Sequence, residues 1–142
     1  MNDPSMPEGK GPIRPIGVPP ALVIQREAPK FWTEFQQRLE ADADAHTDRG
    51  LSALVTPFDG GLRVTVNRPG SVFQQTYTDL MYKRGSPEIR CSALNNTTYV
   101  MKFTVTPENS VAVTSTRALD PMNPQQASEH VMQLMLETLE RK

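Results

Sequence analysis

The sequence of 142 residues has little of what usually announces chemistry: one cysteine, Cys91, and two histidines, His46 and His130. A single cysteine cannot close an internal disulfide, so the thiol count does not call for an oxidising compartment. Two histidines exclude a three-histidine zinc centre. Long hydrophobic runs are missing too. Membrane helices need roughly 20 apolar residues and secretory signals roughly 7–15. The run near the start, Ala21-Leu22-Val23-Ile24, has four, so a cytoplasmic protein without a membrane partner is expected. Excess charge is absent as well. With 15 basic and 16 acidic groups the net charge is −1, which gives no overall drive toward nucleic acid or an anionic surface. The sequence holds no G-x-G-x-x-G, no G-x-x-x-x-G-K-[ST], no H-E-x-x-H and no C-x-x-C, and no cofactor is expected.

Proline, by contrast, is abundant and unevenly placed. Seven of the thirteen prolines fall within residues 1–29, while all nine aromatic residues lie between Phe31 and Phe103. Proline removes amide donors and biases the preceding residue toward extended geometry. The division that follows is an extended, flexible tail over 1–28 and a single α+β domain over 29–142. Within the tail, Leu22, Val23 and Ile24 form a strand-like apolar segment able to add to an open sheet edge.

Pro29 suits the first turn of a helix, where its missing amide costs nothing. Phe31, Trp32, Phe35, Leu39 and Ala43 then recur at three-to-four spacing, giving one apolar face to a helix over about 31–45. From Leu51 to Ala118 the punctuation changes. Turn signals at Asp59-Gly60-Gly61, Pro69-Gly70-Ser71, Gly85-Ser86-Pro87, Asn95-Asn96 and Pro107-Glu108-Asn109 separate segments rich in Val, Thr and Tyr. This rhythm predicts an antiparallel meander of five or six strands, covered by the N-terminal and a C-terminal helix. Residues 72–84 read both ways. Val72, Phe73, Thr76, Tyr77, Leu80 and Met81 have helical spacing, whereas the threonines and tyrosines favour a strand. The strand reading is preferred, and the helical one gives the order α-β-β-α-β-β-β-α.

The last helix has the clearest signals. Asn123 is placed to cap it, Pro124 takes the first helical position, and Gln126 completes an N-x-x-Q box. Ala127, Val131, Met132, Leu134, Met135, Leu136 and Leu139 cover an arc of roughly 200°, whereas a helix on one sheet needs only about 100°. The surplus can meet the first helix, a second copy of the chain or another protein, or a small apolar ligand. A non-catalytic protein-binding or self-associating module follows, an adaptor, scaffold or chaperone-like dimer. Met132, Met135, Leu136 and Leu139, with Leu22, Val23 and Ile24 of the tail, are its candidate contact residues.

Candidate chemistry is sparse. Asp42-x-Asp44-x-His46-x-Asp48 gathers oxygen ligands, but a calcium loop wants glycine at its sixth position and glutamate at its twelfth. Those places hold Thr47 and Ala53, so a solvated helix end is expected and no metal. Asp79, flanked by Tyr77, Tyr82, Lys83 and Arg84, is the best acid or base for an enzyme reading. Cys91 alternates with Ile89 and Ala93 as a small buried residue does. Residues 62–118 carry seven basic and three acidic groups, so a weak single-stranded nucleic-acid site on the sheet is a further alternative, although the interleaved aromatics such a site wants are few.

Overall fold

In the computed structural model, which describes residues 19–48, 52–67, 75–93, 98–116 and 118–140, a long helix α1 (Pro20–Asp48) precedes seven strands. These are β1 (Ser52–Phe58), β2 (Gly61–Asn67), β3 (Gln75–Met81), β4 (Glu88–Ala93), β5 (Thr98–Val105), β6 (Val111–Ser115) and β7 (Ala118–Met122), and helix α2 (Pro124–Glu140) closes the chain. Each strand pairs antiparallel with its chain neighbour, so the sheet order is β1 to β7. The α+β meander expected from the sequence is therefore present, with residues 75–81 as strand β3. The strand count is seven rather than five or six. The additional strand, β7, reads Ala-Leu-Asp-Pro-Met, and Asp and Pro are depleted from strands. It sits at the sheet edge, where a proline is tolerated because its missing amide need not enter a ladder.

Helix α1 starts nine residues before Pro29. Residues 20–28, expected as extended tail, form its first turns, and residues 1–18 of that tail lie outside the described residues. Burial explains the extension. Val23 and Ala28 continue the stripe of Phe31, Phe35, Leu39 and Ala43, and all six are buried. Covering that stripe outweighs the bond Pro29 cannot give to the carbonyl four residues earlier. Pro20, not Pro29, occupies the favoured first-turn position. Near its start α1 is tied to the β5–β6 turn, where Arg26 Nη2 donates to the Asn109 carbonyl at 3.4 Å.

Both helices lie on one face of the sheet. On that face Leu62, Val64 and Val66 of β2 join Leu80, Ile89, Cys91, Met101 and Val113 in one core with the helices. Five rings knit α1 to the sheet: Phe31 meets Phe103 edge-on at 5.5 Å, Trp32 lies 5.5 Å from Tyr82, and Phe35 packs on both helical neighbours. Such pairs add about 0.5–1.5 kcal/mol each beyond area burial. At α2 the expected cap is formed. Asn123 Oδ1 accepts from Gln126 N at 2.8 Å, and Gln126 Oε1 accepts from Asn123 N at 2.9 Å.

Candidate functional site

The α2 residues singled out by the sequence are core residues of this chain. Met132, Met135 and Leu139 are 2–4% exposed, and Leu136 packs half-buried against the same core. The broad apolar arc is covered from two sides, by β2, β3 and β7 and by α1. Close approach of the helices is set by small residues: Ala127 and Ser128 are fully buried, and Ser128 Oγ donates to the Asp42 carboxylate at 2.5 Å. The surplus on α2 therefore needs no outside partner. Of the tail segment, Val23 is buried, Ile24 half-buried and Leu22 52% exposed.

The chemical candidates are equally occupied. Asp79 is held by Arg63, whose Nε and Nη2 donate to the two carboxylate oxygens at 2.7 and 2.9 Å. The Asp79 hydrogen bonds push the Arg63 pKa up, and its guanidinium stacks 4.1 Å over the Tyr77 ring. A carboxylate clamped this way bridges β2 and β3. Cys91 is buried, and loss of water pushes its thiol up to about 12, far from the depressed value a nucleophile needs. His130 Nε2 lies 3.4 Å from Ser115 Oγ, a pair with no signal in the sequence, but Ser115 is only 6% exposed. Residues 42–48 complete α1, and among the described residues no group of three or more potential metal ligands assembles. No helix among them is long and apolar enough to cross a membrane.

The edges of the sheet carry features that oppose strand addition. The two-residue turn Asp59-Gly60 makes Phe58 and Gly61 a hydrogen-bonded pair. Alternation then points the backbone groups of Pro57, Val55 and Ala53 outward. Pro57 has no N–H. Ala53 is capped on both sides by Thr47 of α1, whose Oγ1 accepts from Ala53 N and donates to Ala53 O, both at 3.1 Å. One hydroxyl thus stands in for a neighbouring strand. At the other edge, β7 is five residues long, carries Pro121 and meets β6 through a register shift.

What remains is the sheet face opposite the helices. Pairing aligns Phe58, Gly61, Met81, Arg90 and Val100 in one row across β1–β5, with Thr56, Arg63, Asp79, Ser92 and Thr98 in the next. Leu54 stands one row further, beside Thr65 and Tyr77. Leu54, Phe58 and Met81 are 61%, 41% and 39% exposed, so three of the large exposed hydrophobic residues stand on this face, on β1 and β3, in rows either side of Arg63–Asp79. Most of the charge on this face is paired within it. Besides Arg63–Asp79, Arg90 Nε lies 3.4 Å from Glu88 Oε2, and Lys102 stands directly opposite Glu88 across the ladder. Of the seven basic groups counted along residues 62–118, Arg68 and Arg117 lie outside the described residues. The sequence pointed to the sheet only through its basic residues and not through Leu54, Phe58 and Met81, because a strand's exposed alternate positions look alike whether they face water or a partner. Comparison with protein-family models, curated proteins and solved structures returns no match.

Proposed function

We propose that the chain is a non-catalytic protein-binding module of adaptor or scaffold kind, and that it binds through the helix-free face of its sheet. The supporting observation is that exposed Leu54, Phe58 and Met81 share a seven-stranded face with the ion pairs Arg63–Asp79 and Arg90–Glu88. Removing water from matched charges costs less than burying isolated ones, and apolar side chains gain from it. The guarded edges direct contact to the face, and the burial of Met132, Met135 and Leu139 takes the α2 flank out of contention.

The test is the mass at which the chain migrates in soluble extract of its own host. Wild type is expected above the monomer mass, Leu54→Lys/Met81→Lys at the monomer mass, and Leu136→Asp above it. A complex that survives the lysine pair overturns the surface, and wild type migrating as a monomer overturns the reading.

A further inference from the structure

We propose that the occupant of the helix-free face is a second copy of this chain, stacked sheet on sheet about a two-fold axis, with the helices forming the outer layers of an α/β/β/α dimer. This inference rests on the reading of that face as the contact surface. Three observations support a copy as the occupant. The first is area. Seven strands about 4.8 Å apart and roughly 22 Å long present ~700 Å², close to the ~800 Å² per partner of a standard stable interface.

The second is charge. A two-fold contact brings a surface against itself, so any net charge is repelled by its own image. Here Arg63 is bonded to Asp79 and Glu88 sits between Arg90 and Lys102, so three cations against two carboxylates leave an excess of one charge and little self-repulsion. A face evolved for a strongly charged partner would carry the opposite excess. The third is hydrogen bonding. Between the charged and apolar positions lie Thr56, Thr65, Thr98, Thr104 and Thr114, one hydroxyl row after another across the sheet. A hydroxyl both donates and accepts, so threonine meets its own image without a mismatch. The capped edge at Ala53 and the short edge β7 disfavour strand addition as a competing route to a dimer.

Light scattering on the purified chain from about 1 to 100 μM tests this directly. The expected mass is twice 15.8 kDa. Leu54→Lys/Met81→Lys places like charges at the contact and is expected to weaken the dimer by ~100-fold or more, with an unchanged far-ultraviolet circular dichroism spectrum. A second measurement does not depend on that variant folding. Ser92→Cys, on the central strand and facing away from the helices, is expected to join two chains through a short bis-maleimide, because stacked sheets lie about 10 Å apart. Gln133→Cys on the outer side of α2 is expected not to. A wild-type chain that stays monomeric at 100 μM overturns the second-copy proposal, and the extract experiment then decides separately whether the face binds anything. A dimer that crosslinks through Gln133→Cys and not Ser92→Cys overturns it as well.

Discussion

Two adjacent glycines in the first hairpin bear different loads. Gly60 has φ of 92°, with nothing within 4 Å of where a Cβ would stand, so Gly60→Ala costs only the left-handed backbone, about 1–2 kcal/mol. A Cβ on Gly61 would fall on the carbonyl oxygen of Leu80 and lie 3.1 Å from the Phe58 ring. Backbone cannot yield as a side chain does, so Gly61→Ala must part β2 from β3. Urea unfolding is expected to show a loss of about 2–4 kcal/mol, the larger of the two. Cys91 sets a pH dependence at the same scale. Burial raises its thiol from the ordinary 9.0 to about 12, so the folded chain keeps a proton that the unfolded chain releases. That contribution is complete below pH 9 and declines between pH 9 and about 12. Burial raises Tyr82 in the same direction. Denaturation midpoints are expected to fall across this window, less steeply in Cys91→Ala, and the native thiol is expected to react with maleimide only after unfolding.

Thr47 links the elements α1 and β1 by covering the Ala53 backbone, and this protection can be removed without touching the core. Thr47→Val keeps the shape but strips both hydrogen bonds. Amide exchange at Ala53 is expected to accelerate by an order of magnitude or more, and edge-driven association to rise with concentration, since an unpaired row of N–H and C=O groups templates another strand. Unchanged exchange would show that the hydroxyl does not guard the edge. The α2 cap was legible from Asn123, Pro124 and Gln126 because capping is local: every partner lies within a turn. The start of α1 was not. Proline-based reasoning stopped the helix at Pro29, while the decisive quantity was the burial of Val23 and Ala28 in a core shared with strands far along the chain. Strand β7 was missed for the same reason, since Asp120 and Pro121 are tolerated only because of where the sheet ends.

For the molecule as a whole, the core and the proposed contact face predict opposite responses to charge. Met135→Asp buries a carboxylate among apolar side chains and is expected to abolish cooperative thermal unfolding, at a cost of several kcal/mol. Met81→Lys, on the open face, is expected to leave the stability of the monomer fold within about 0.5 kcal/mol. If both variants unfold alike, the division between a spent helical face and an available sheet face is lost. The apolar surplus on α2 could be seen in the sequence, but its destination could not, because periodicity gives the width of an arc and not the identity of its neighbour. By itself the sequence determined the α+β class, the meander, the turns at Asp59-Gly60, at Gly85 and at Pro107-Glu108-Asn109, and the cap, all fixed by residues close along the chain; the expected turns at Pro69-Gly70-Ser71 and Asn95-Asn96 lie outside the described residues. Only tertiary structure decided that α1 absorbs the α2 surplus, that Thr47 and two prolines guard the edges, and that Asp79 is clamped by Arg63. Each of these depends on which distant segments meet, and that is set by burying the most apolar area at once.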